Sequence, residues 1–64
     1  MSNYETIARG LAAVSPNAPM TTSALIMGLA HEAGRVVTTR EISEAPAIPE
    51  GATRTEYASL LRSS

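Results

Sequence analysis

Gly34-Arg35-Val36-Val37-Thr38-Thr39-Arg40-Glu41-Ile42-Ser43-Glu44-Ala45-Pro46-Ala47-Ile48-Pro49-Glu50-Gly51 is the stretch whose reading decides the fold. Thr38 followed three residues later by Glu41 is a capping box, in which hydroxyl and carboxylate each accept the other residue's backbone N–H, so a helix opens at Thr39. Pro46 lacks an N–H and pushes Ala45 toward extended geometry, which confines that helix to 39–45. Gly34 is placed as the left-handed cap that closes an earlier helix. Between cap and box, Arg35-Val36-Val37 leaves room for one minimal strand at 35–37.

Working back from Gly34, Thr21 is an N-cap with Met20 before it, positioned to staple against Leu25. Leu25, Ile26, Leu29, Ala30 and Ala33 then recur at helical spacing, which predicts a helix over 22–33 with a stripe wide enough for the central core helix. Ala24 and Gly28, four apart, would let another backbone come close, a spacing that an alanine-rich chain also produces without purpose. Earlier still, Ser2 and Glu5 form another capping box, and Tyr4, Ile7, Leu11 and Val14 share one face of a helix over 3–14. Gly10 inside it costs about 1 kcal/mol relative to alanine, so that helix needs tertiary support.

Downstream, the last helix has two rival starts: Pro49 as a first-turn residue, or Thr53 as a cap with Glu56 closing a third box. The segment assigned is 50–62, with Tyr57, Leu60 and Leu61 as its apolar face. Pro16/Pro19 and Pro46/Pro49 both have the Pro-x-x-Pro spacing that polyproline grooves read, but flanking signals are missing and they read as rigid connectors. The sequence therefore predicts an all-α fold: one small domain over 1–64, with three to four short helices in a small orthogonal bundle.

Composition narrows the function. The 64 residues carry five Lys+Arg against six Asp+Glu, a net charge of -1, two tyrosines, no Phe, Trp or Cys, and eleven alanines. A chain of this size gains only about 3 to 5 kcal/mol from one core, and no disulfide can staple it, so it is expected to lean on a partner. One histidine without cysteine or aspartate excludes a metal cage. His31-Glu32 lacks the second histidine of a zinc-protease helix, because position 35 is arginine, and His31 reads as a helix-end residue. There is no Gly-x-Ser-x-Gly elbow and no lysine, so nucleophilic and phosphate-loop chemistry lack parts. The expectation is a non-enzymatic protein with no cofactor, no metal and no small-molecule substrate. The opening residues resemble no secretory signal, and the longest apolar run, Ala24 to Ala30, is far shorter than the roughly 20 residues of a membrane span. A cytoplasmic chain, or a virion component, is expected.

From Ser23 to Leu61 the order is helix, Gly-Arg, short strand, Thr38-Thr39-Arg40-Glu41-Ile42, Pro46-Ala47-Ile48-Pro49-Glu50-Gly51, helix. It resembles bacterial winged-helix repressors of the iron-sulfur-regulator type, and Ile48-Pro49-Glu50-Gly51 is similar to the C-terminal DNA-binding domain of extracytoplasmic-function sigma factors. The resemblance implies a helix-turn-helix whose last helix enters the major groove. Thr53, Arg54 and Thr55 would then read bases, while Arg35 and Arg40 would reach phosphates. With so few cations such binding needs a dimer, and Tyr4, Ile7, Leu11 and Val14 are the expected dimer or partner interface. The first functional expectation is thus a small DNA-binding transcriptional regulator. Its rival is a structural or adaptor subunit of a larger assembly, such as a bacteriophage particle, held by a protein partner or a second copy.

Overall fold

The computed structural model describes residues 3–63. Four helices follow one another: α1 (Asn3–Val14), α2 (Thr22–Ala33), α3 (Thr39–Glu44) and α4 (Arg54–Ser63). Together they form a small all-α bundle, with no named strand among the described residues. The Ser2 half of the first capping box lies outside those residues.

Local chemistry sets most boundaries. The Thr21 hydroxyl accepts the Ala24 N–H at 3.1 Å to open α2. Gly34 closes it at φ 69, donating its N–H to the Ala30 carbonyl. Both halves of the Thr38/Glu41 box are made, and α3 stops at Glu44, one residue short of the expected span, because Ala45 before Pro46 is extended at φ -67, ψ 144. α4 begins at Arg54, not near residue 50. Gly51 lies at φ 78 in a turn where the Ala52 N–H reaches the Pro49 carbonyl at 3.1 Å, and a left-handed residue there interrupts any helix started from Pro49. Thr53 and Glu56 complete the capping box instead, at 2.8 and 3.1 Å.

Nonlocal pairing appears where no strand was expected, and the minimal strand at 35–37 is absent. Residues 18–20 run antiparallel to 52–54: the Met20 N–H reaches the Ala52 carbonyl and the Arg54 N–H the Ala18 carbonyl, both at 2.9 Å. Pro19 and Thr53 face each other between those two bonds. That is the position in an antiparallel ladder where neither residue donates to the other, so proline is tolerated and the Thr53 N–H stays free for the Glu56 carboxylate. Arg35-Val36-Val37 has no such neighbour. Val37 drops into the core as a plug while Val36 is left 86% exposed.

The closest helix pairs are α1 with α4 and α1 with α2, so α1 is the central helix and α2 is not. Its reading as central rested on apolar content, but those residues are spread around the helix and only Leu25 and Leu29 are buried. The core gathers Ile7 and Ala8 from α1, Met20, Leu25 and Leu29 around α2, Val37, and Tyr57 and Ala58 from α4. The small Ala8 and Ala58 suit the close α1/α4 approach. At the other side of α1 a Cβ on Gly28 would stand 2.6 Å from Ile7 Cγ2 and 3.4 Å from Leu11 Cδ1, so the glycine is what lets α2 lie so near. The two tyrosines fasten the remainder: Tyr4 donates to the Glu41 carbonyl at 2.9 Å and Tyr57 to the Pro46 carbonyl at 2.7 Å.

Candidate functional site

Two sets of residues bear on function: the cations and threonines expected to meet DNA, and a groove between α1 and α2. In the first set, three of five are committed to the fold. Thr53 caps α4. Thr55 donates both its hydroxyl, at 3.0 Å, and its N–H, at 3.3 Å, to the Pro16 carbonyl. The Arg54 Nη1 donates to the Leu11 carbonyl at 3.2 Å, and its buried Nε has no partner. α1 has no basic residue in its own last turn, so Arg54 supplies from α4 the cation that the negative end of the helix dipole favours.

Arg35 is engaged as well. Its guanidinium forks onto Glu41 at 2.8 and 2.9 Å, and Nη1 also reaches the Val36 carbonyl. Glu41 in turn closes the α3 cap, and these contacts, with Arg35 the largest, hold its carboxyl down to about 2. The Glu56 carboxyl is lowered by the Thr53 N–H and hydroxyl. Arg40 alone of the five is exposed on α3 with no hydrogen bond or ion pair of its side chain among the described residues. α3 and α4 are separated by the nine residues 45–53 and are not among the closely packed helix pairs; a helix-turn-helix joins its helices by three or four residues.

The expected interface residues turn inward. Ile7 is 6% exposed, and Tyr4 and Leu11 pack half-buried against the core, because α1 spends its apolar stripe on α2 and α4. Only Val14 stays on the surface, 80% exposed.

Beside it lies the groove, about 470 Å³, open to solvent. Thr6, Gly10, Leu11 and Val14 form the α1 wall; Met27, Gly28, His31 and Glu32 form the α2 wall. Met27 is 72% exposed on the rim. From Thr22 to Ala30 α2 carries no charge at all, so over that span its outer side offers solvent no ionic group. A helix apolar on every side is usually covered on every side. Gly10 is the second peculiarity: nothing lies within 4 Å of a Cβ built there, so no contact inside the chain accounts for a glycine in mid-helix. Sequence reasoning passed over Met27 and the Gly10 wall, although the charge-free run and the interior glycine were both visible.

Thr6, His31 and Glu32 share this groove, yet no hydrogen bond joins hydroxyl, imidazole and carboxylate among the described residues. Nor does any group of three or more His, Asp or Glu stand close enough to hold a metal among them. No described helix is long and apolar enough to cross a membrane. Comparison with family models, with curated proteins and with solved structures returns no match.

Proposed function

We propose that this protein is a non-enzymatic binding module that docks a protein surface through the α1–α2 groove, as a small adaptor or structural subunit of a larger assembly. The observation that carries the reading is the groove itself: an apolar trough of about 470 Å³ with Val14 and Met27 exposed on its rim and, along the α2 wall, a helix without charge from Thr22 to Ala30. Exposed apolar patches bounded by polar residues mark partner contacts, and helix-lined grooves of this kind take apolar side chains at helical spacing. The groove itself offers no support for catalysis: among the described residues no hydrogen bond joins the Thr6 hydroxyl to His31 or Glu32.

DNA recognition is the competing reading. It rests on Arg40, since Arg35, Thr53, Arg54 and Thr55 already serve the fold. Arg40 by itself gives little counterion release.

Selection of displayed random peptides on the immobilised protein separates the two, with Gly10→Leu, which fills the groove, as the counter-selection. Enriched peptides should carry apolar residues at helical spacing and lose binding to Gly10→Leu. Absence of enrichment, or equal binding to the variant, overturns the groove reading. Fluorescence anisotropy with random duplex DNA at low salt should show no salt-sensitive binding at micromolar protein, and binding there would install the DNA reading instead.

A further inference from the structure

We infer that residues 35–50 are a strap that swings off the molecule as one unit, hinged at Gly34 and Gly51, while α1, α2 and α4 stay folded together. Both ends of the segment are anchored without its help. Behind Gly34, its own N–H on the Ala30 carbonyl closes α2 at 2.9 Å. Beyond Gly51, the Met20 N–H holds the Ala52 carbonyl and the Arg54 N–H the Ala18 carbonyl, while the Arg54 and Thr55 side chains hold the carbonyls of Leu11 and Pro16. None of these bonds uses an atom of residues 35–50. The buried cluster is likewise built from α1, α2 with Met20, and α4, to which the strap adds Val37.

The strap's own hold on that body is thin. α3 buries no residue, and Ile42, Ala45 and Ile48 are only half-buried against the core. Tyr4 and Tyr57 reach it by their hydroxyls, at Glu41 and Pro46. Between strap and α2 lies a gap of about 210 Å³, lined by Thr22 and Leu25 on one side and by Ile42, Pro46 and Ile48 on the other. Atoms facing such a gap forgo the dispersion contacts of a close-packed seam. The Arg35–Glu41 fork and the Thr38/Glu41 box run within the strap, so they hold it to itself and not to the body. Its hinges are glycines at φ 69 and 78 with nothing within 4 Å of a Cβ, free to take up the rotation. Segments with few buried apolar contacts open at less cost than the whole fold. Opening uncovers Leu25, Val37, Ile42 and Ile48 together, an apolar surface that the closed form conceals. It leaves the α1–α2 groove intact, since every residue lining that groove precedes Gly34.

Hydrogen exchange of the wild-type chain at urea concentrations below the unfolding transition tests this. Six residues are too few to stay helical once detached, so opening frees the Ile42 N–H from the Thr38 carbonyl. That amide should be at least about tenfold less protected than those of Leu25 and Tyr57, which lie in the body, and should respond less steeply to urea. Equal protection and equal urea dependence at all three overturns the strap. A second measurement asks whether the segment moves as one. Val37→Cys gives the chain a single thiol, whose labelling by a soluble disulfide reagent reports release of the plug. Adding Tyr57→Phe, which loosens the strap at Pro46, should speed that labelling about two- to tenfold. An unchanged rate would mean that α3 frays alone, and the inference of a single moving unit falls.

Discussion

Tyr57 is fully buried and its hydroxyl holds the Pro46 carbonyl, so one aromatic both fills the core and pins the loop between α3 and α4. Burial, and secondarily Tyr4, push its phenol above the ordinary value. Tyr57→Phe keeps the ring and deletes the bond, and should lower unfolding free energy by about 0.5 to 1.5 kcal/mol in urea titration. Glu41 works by charge. Its carboxyl titrates at about 2 in the folded protein against 4.5 ordinarily, so its stabilisation is complete above 4.5 and disappears as pH falls toward 2. Wild type and Glu41→Gln should therefore melt well apart at neutral pH and converge near pH 2, and a gap constant across that range would show that the carboxylate charge contributes nothing. Arg54 shows what single-residue reading misses. An arginine at the start of a helix looks free to reach outward, yet the carbonyl it serves belongs to Leu11, 43 positions away in sequence.

At the scale of elements, two glycines with the same helical setting behave oppositely. Gly28→Ala would thrust a methyl to 2.6 Å from Ile7 Cγ2, so α1 and α2 must separate or Ile7 must leave its rotamer, at a cost of about 1 to 3 kcal/mol. Gly10→Ala meets nothing and should raise stability in dilute solution by about 1 kcal/mol through helix propensity alone. Thermal melts of the two variants should shift in opposite directions. The contrast marks what the sequence made legible. Caps were readable because Thr21, Gly34, Thr38 and Glu41 act on backbone within a few residues, and so the spans of α1 and α2 and the opening of α3 coincide with the observed ones. The start of α4 was left between two sites because the deciding interaction, residues 18–20 against 52–54, is nonlocal. Of the stripe expected as an interface on α1, Ile7 is buried while Leu11 and Val14 line the groove; periodicity finds an apolar stripe but does not say which part of it a neighbour already covers. The groove was the least legible feature, being made of two helix sides that only tertiary packing brings together.

For the molecule as a whole, the core is shared between α1, the α2 region and α4. The central place of α1 has a further outcome for how the molecule comes into being. Its tightest neighbour is α4, and the 18–20 strip is sealed only when 52–54 arrive, so the segments that complete the core are synthesised some forty residues apart. Helical bundles usually fold through contacts near in sequence; here α1 and α2 leave the ribosome without their lid and must wait for α4 before Tyr57 can enter. Maturation should accordingly be a late, all-or-none event, with nascent chains lacking α4 remaining open to proteases along their entire length.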